Sequence, residues 1–230
     1  MAIAGILFDK DGTLLDYARS WLPVNRKLAL IAAAGDQSLA DRLLAACGMD
    51  PQTGHVVADS LLAAGNTREI AEGLEAAGSV LSADQLVNDL DGLFAEAAHN
   101  AVPVTDLAAY FQRLKARGFK LGVASSDNEL SIRRTAERFG FIDHLDYIAG
   151  YDSGHGCKPE PGMVHGFLAV TGLQPHEVAV VGDNSHDMHM GRNAGAGMTV
   201  GVLTGTGTRQ SLSALCDHCL DDITALEALV

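Results

Sequence analysis

Nearly continuous apolar runs punctuate the chain at 3–8 (IAGILF), 119–125 (FKLGVAS), 146–150 (DYIAG), 178–182 (VAVVG) and 198–203 (MTVGVL). Runs this short and this uniformly apolar predict strands covered on both faces, the condition of inner strands in a parallel sheet. Between them the apolar positions move to helical spacing. The stretch "VTDLAAYFQRLKARG" opens with Thr105 as a cap, places leucines and aromatics on one helical face and closes at Gly118. "DNELSIRRTAERFG", "PGMVHGFLAVTG" and "NSHDMHMGRNAGAG" repeat that format. Strands alternating with helices of this length predict an α/β fold, a parallel sheet wound right-handed with helices on both faces.

Residues 17–99 break the rhythm. They hold no strand run and read as four or five helices rich in Ala and Leu. One starts at "NTRE", where Asn66 and Glu69 have capping-box spacing, and another at "SADQ" from Ser82. The reading therefore divides the chain into a sheet-forming part, 1–16 and 100–230, and an inserted helical module, 17–99. Alanine-rich helices with few aromatics offer few large anchors, so the insert is expected to move relative to the sheet. No internal repeat or low-complexity tract is present.

Composition narrows the partners. A chain of 230 residues that is 47% apolar can bury a substantial core, and a formal charge of −13 repels both nucleic-acid backbones and anionic membranes. A small anionic ligand stays compatible with that charge if a local positive site exists. No run of about 18 apolar residues and no basic-then-apolar leader occurs, so neither a membrane span nor a secretory signal is expected and the cytoplasm is the expected compartment. Of the four cysteines, Cys47 and Cys157 stand alone while Cys216 and Cys219 form "CDHC". One CxxC is half a zinc site, so the pair reads as reduced and without function.

The candidate chemistry lies where apolar runs end. Asp9 and Asp11 follow the first run directly, and side chains two apart on an extended segment point the same way, so both carboxylates are expected in one pocket. Gly12 permits a sharp turn with amides close to a ligand, and Thr13 adds a hydroxyl. Alone, this stretch also reads as a turn capped by Asp and Gly. Asp183 ends the run "VAVVG", and Asp187 lies four residues on, the spacing of neighbours on a helical face. In an open parallel sheet, ligands bind outside the carboxyl ends of the strands, so both acidic pairs should meet in one crevice. Converging carboxylates need neutralising, and a hard divalent cation with oxygen ligands, Mg²⁺, suits them. Ser125 and Ser126 end a third run, either as hydroxyl donors or as helix caps. Lys158 lies in "GCKPEPG", stiffened by two prolines, with Pro161 able to start the next helix.

In order and spacing, "DKDGTLLD", "GVASS", "CKPEPG" and "VGDNSHD" resemble the four motifs of the haloacid dehalogenase superfamily, specifically its phosphoglycolate-phosphatase-like branch. The resemblance spans the sheet-forming two thirds of the chain. It implies a Rossmann-like core, with residues 17–99 as an all-helical cap domain, and an aspartyl-phosphate mechanism. Asp9 would be the nucleophile and a metal ligand, and Asp11 the general acid and base, ligating through its backbone carbonyl. Asp183 would complete the Mg²⁺ site, with Asp187 orienting a metal water or Lys158. Ser125, Lys158 and the backbone around Gly12, with Thr13 and Ser126, would hold the phosphoryl oxygens.

The expected activity is hydrolysis of a small phosphorylated metabolite, phosphoglycolate among the candidates, by a monomer or homodimer. A phosphomutase of the β-phosphoglucomutase type would use the same residues, and a non-catalytic phosphate-binding protein is disfavoured because no motif residue is missing. Dehalogenation is disfavoured by Asp11, since displacing a halide needs no acid there. Lys10 departs from the apolar residue common between the two aspartates and is expected to point away from the pocket, structural or solvated. His186 and His189 are expected on exposed helix positions rather than on a metal. Arg19 and Arg68 are the cations of the insert considered for substrate recognition, against the alternative of surface ion pairs.

Overall fold

The computed structural model describes residues 2–230. Strands β1 (Gly5–Phe8), β2 (Lys120–Ala124), β3 (Tyr147–Ala149), β4 (Val178–Gly182), β5 (Met198–Val202) and β6 (His218–Leu220) form one parallel sheet in the order β3-β2-β1-β4-β5-β6. The chain winds outward from β1 to β3, then resumes on the other side at β4. That reversal opens a crevice at the carboxyl ends of β1 and β4, where an α/β sheet takes its ligand.

The first five strands coincide with the apolar runs. β6 was not expected, because "HCL" is three residues long, borders the polar end of "CDHC" and pairs only at the sheet's edge. It takes Cys219 into the sheet, while Cys216 is buried beside Leu212 and Met188, and both thiols are free.

Alternation along the strands splits the core into two layers. Ile6 and Phe8 face α6 (Leu107–Ala116) and α7 (Glu129–Arg138), where Phe8 packs 5.3 Å from Phe111 between ring centroids. Leu7 faces the opposite layer, with Phe167 of α8 (Gly162–Thr171) and Met190 of α9 (Ser185–Asn193). Each such side chain, fully buried, is worth roughly 1.5–3 kcal/mol. The cap of α6 is Asp106, not Thr105: the Asp106 side chain accepts from the Ala109 N–H at 3.1 Å. Thr105 reads equally well by residue type, and only the backbone geometry separates the two.

Between β1 and α6 run five helices, α1 (Tyr17–Ala32), α2 (Gln37–Ala46), α3 (Leu61–Ala64), α4 (Thr67–Ala76) and α5 (Ala83–Ala97). The expected capping boxes are both present, Asn66 with Glu69 on α4 and Ser82 with Gln85 on α5. This block has its own apolar cluster, built around Leu28, Leu43, Leu74, Leu86 and Leu90. The two strands of chain that join it to the sheet run side by side, with Leu15 bridged to Pro103 and Val104 N–H donating to Leu14 O at 3.0 Å. Among the described residues no helix is long and apolar enough to cross a membrane.

Candidate active site

Asp9 leaves β1 with its N–H still donating to Val181 O at 2.8 Å, so the sheet ladder carries it alongside the end of β4. Asp183 follows β4 immediately, and Asp187 sits in the first turn of α9. Carboxylate oxygens of Asp9, Asp183 and Asp187 lie within 4.8 Å of one another, all three buried. The expectation that Asp183 and Asp187 share a helical face is corrected: Asp183 precedes the helix, whose N-cap is Asn184, and the two converge through the strand-to-helix turn.

Lys158 reaches this cluster from the loop before α8, its Nζ 2.6 Å from Asp9 Oδ1 and 2.6 Å from Asp187 Oδ1. One ammonium does not balance three carboxylates. Asp9 Oδ2 and Asp183 Oδ1 are buried without any hydrogen-bond partner. Burial raises the Asp9 carboxyl to about 6, with Lys158 opposing and Asp187 adding to the rise. Burial, reinforced by Asp9 and Asp187, holds Asp183 well above the usual carboxylate range. Two unpartnered carboxyl oxygens from neighbouring strand ends, in a cluster of three acids with one ammonium, fit a hard cation, since a buried polar group without a partner is costly. Lys158 itself is pushed above its ordinary value: burial works against the ammonium, but its two carboxylates outweigh it.

Gly12 and Thr13 do not do what was expected of them. The Gly12 N–H donates to Leu15 O at 2.8 Å and is not free for a ligand, and the Thr13 hydroxyl is buried without a partner. Neither lines the adjoining cavity. What Gly12 supplies is a backbone at φ +88° and space, because a Cβ there would stand 2.7 Å from the Asp183 carboxyl carbon.

Asp11 stands apart from the acidic triad and is held by Lys10, whose Nζ lies 2.7 Å from Asp11 Oδ2 and 2.9 Å from Asp127 Oδ2. Lys10 does turn away from the cavity, but it is buried rather than solvated, and its ammonium also sits 5.7 Å from the Trp21 ring centroid. Burial raises Asp11 to about 6, with Lys10 opposing and Asp127 and Asp9 adding to the rise. Asp127 was missed by the reading of the sequence. Its signal was its place, two residues beyond Ser125 at the same strand end. Ser125 is buried, its Oγ accepting from the Asp127 N–H at 3.1 Å, while Ser126 is half-buried, and both line the cavity.

The two histidines part company. His189 is exposed as expected, but His186 is half-buried and burial lowers its pKa; neither belongs to the acidic triad.

The family is now decided. The pattern of the haloacid dehalogenase-like hydrolases matches residues 3–195. The chain belongs to that family. It is 28% identical over 195 residues to the phosphoglycolate phosphatase of Aquifex aeolicus, covering 83% of this chain and 80% of that one. It is 32% identical over 82 residues to pyrophosphatase PpaX of Halalkalibacterium halodurans, covering 36% of this chain and 38% of that one. Its fold superposes on a predicted phosphoglycolate phosphatase from Haemophilus somnus with a TM-score of 0.74 at 20% identity, covering 99% and 97% of the two chains.

In this hydrolase a cavity of about 50 Å³ separates the sheet from the helical block. Asp9, Asp11, Ser125, Ser126, Asp127, Lys158 and Asn184 form its floor, and α1, α3, α4 and α5 supply its roof. Arg19 and Arg68 are not part of it. Arg68 is paired with Asp84 at 2.6 Å on the surface, the ion-pair alternative weighed for it, whereas Arg19 is exposed and makes no ion pair among the described residues. The block is tied to the core by Asp91 of α5, which accepts from Asn128 Nδ2 at 3.2 Å and from Tyr151 OH at 2.9 Å.

Proposed function

We propose that the protein is a Mg²⁺-dependent phosphatase that hydrolyses small phosphate monoesters through an aspartyl-phosphate on Asp9. The observation that supports this most is the state of the Asp9 carboxylate. One oxygen is fixed by Lys158 at 2.6 Å, and the other is buried, unpartnered and beside a cavity that also holds Asp11.

In this reading Asp9 Oδ attacks phosphorus in line, the O–P bond forms and the ester P–O bond breaks. Asp11 gives its proton to the departing alcohol oxygen, then takes one from the water that attacks phosphorus and releases Asp9. Lys10 fixes Asp11 Oδ2 and leaves Oδ1 without a partner, free to carry that proton. Asp11 at about 6 can hold a proton or lose it near neutrality. Ser125, Ser126 and Lys158 bind the phosphoryl oxygens and offset their charge. Asp9 and Asp183, with the Asp11 carbonyl, would hold Mg²⁺, which supplies charge neutralisation to the phosphoryl group when bound. Asp187 keeps Lys158 in place.

Residues 17–99 act as a cap over a core made of 1–16 and 100–230, closing on a phosphorylated metabolite in the cytoplasm. The test is phosphate release from a panel of monoesters with and without Mg²⁺, beside Asp9→Asn. Turnover that needs Mg²⁺ and falls at least about a thousandfold in the variant is expected. Full activity in Asp9→Asn, or release from no ester, overturns the reading.

A further inference from the structure

The roof of the cavity carries information about the leaving group. Trp21, Leu62, Ile70 and Phe94 form it, with Trp21 and Phe94 packed edge to face at 5.0 Å between centroids. Its polar groups are Tyr17, Asn25 and Thr67, and two of these are already engaged. Tyr17 OH donates to Leu62 O and accepts from Asn25 Nδ2 at 3.4 Å. Thr67 Oγ1 donates to Asp91 at 2.7 Å. Among the roof's polar side chains, that leaves the Asn25 carbonyl oxygen as a free acceptor.

Lys158 is the one cation among the described residues that line the cavity, and both its neighbours are carboxylates at 2.6 Å. Lys10 is spent in the same way on Asp11 and Asp127 behind the floor. A leaving group with its own negative charge would therefore be buried against Asp11, Asp127, apolar side chains and neutral polar groups such as Asn25 and Asn184, with no free counter-charge to receive it. Stranding a charge in such surroundings is penalised heavily.

We infer that the substrate is a compact phosphate monoester of an uncharged, largely apolar alcohol, and that the carboxylate of phosphoglycolate and the second phosphate of a diphosphate or bisphosphate are selected against. This rests on the phosphatase reading above and deepens it. Trp21, Leu62, Ile70 and Phe94 discriminate by shape, and Asn25 accepts one hydrogen bond from a hydroxyl on the leaving group.

The experiment compares kcat/KM of the full-length wild type, with Mg²⁺, for 2-phosphoglycolate, its uncharged analogue 2-hydroxyethyl phosphate, n-propyl phosphate, benzyl phosphate and pyrophosphate. The uncharged esters are expected to exceed phosphoglycolate and pyrophosphate by at least about tenfold. Equal or greater turnover of phosphoglycolate or pyrophosphate overturns the inference and leaves the phosphatase reading standing. Release of phosphate from none of the panel overturns both. Ile70→Lys, which adds an ammonium to the roof, is expected to raise the ratio of phosphoglycolate to 2-hydroxyethyl phosphate turnover. An unchanged ratio in a variant that still melts cooperatively removes Ile70 from the leaving-group wall, and if the variant does not fold the wild-type panel decides alone.

Discussion

Lys10 Nζ donates to Asp127 Oδ2 at 2.9 Å across 117 positions of sequence, and the same ammonium holds Asp11 at 2.7 Å. The end of β1 and the end of β2 are thus joined by a buried ion triad. Lys10→Met strands two buried carboxylates, and breaking such a pair costs about 3–5 kcal/mol. Urea unfolding should show that loss, and kcat should fall about tenfold to a hundredfold with little change in KM, because Asp11 loses its fixed position. A kcat within twofold of the wild type would sink this role.

The acidic triad makes a prediction that needs no substrate. A cation that binds only the folded chain stabilises it by about 2.7 kcal/mol at a hundredfold excess over Kd. Mg²⁺ should therefore raise the melting temperature of the wild type, and Asp183→Asn, which removes one of the two unpartnered carboxyl oxygens, should abolish the rise. Equal Mg²⁺ shifts in both proteins would place the cation elsewhere.

Asp91 is one of several polar ties between the helical block and the core, beside Asp59, which accepts from Ser185 Oγ at 2.7 Å, and Phe94 O, which accepts from Ser131 Oγ at 3.1 Å. Asp91 accepts from Thr67 at 2.7 Å within the block and from Tyr151 at 2.9 Å across it. Asp91→Ala leaves those donors short of a partner, at about 1–3 kcal/mol. Amide exchange in α5 and in the linkers near Leu15 and Pro103 should speed up, and KM should rise several-fold more than kcat falls, as the proposed closure of the helical block over the site requires. Unchanged exchange would show that the block is held by its other contacts, such as Ser185 on Asp59, and not by Asp91.

Asp146 is one of the carboxylates that should make the fold acid-sensitive. Burial pushes its carboxyl up, but Lys115 at 2.7 Å, the Leu121 N–H at 2.9 Å and Lys120 at 3.3 Å outweigh that and hold it below the usual range. A lowered carboxylate stabilises the fold fully above its unfolded value, near pH 4, and loses that contribution as pH falls through the folded value. Asp146→Asn should flatten the acid limb of stability against pH below about 4 while changing its slope near neutrality little. An acid limb identical to that of the wild type counts against this assignment.

Five strands, the helical insert and both of its capping boxes were legible because each is encoded locally, in a period or in a cap three residues from its partner. The residues Asp9, Asp183, Asp187, Lys158, Ser125 and Ser126 were legible for a related reason: a parallel sheet sends its strand ends to one edge, so polar residues that follow apolar runs must meet. For Asp9, Asp183 and Ser125 that meeting follows from chain direction, while Lys158 arrives on the loop before α8 and Asp187 on the first turn of α9.

Other features depend on pairs that no local pattern contains. Lys10 reads as a structural or solvated side chain, and only Asp127, arriving from another strand, makes it the centre of a buried ion triad. Gly12 reads as an amide donor until Leu15 takes its N–H and Asp183 fills the space a Cβ would need. The apolar roof over the cavity is assembled from four helices, each of which presents an ordinary buried face. Burial makes an ion pair or a pocket wall depend on everything packed around it, and those neighbours are chosen by the tertiary fold, whereas turns, caps and strand periods are settled by residues within a few positions of one another.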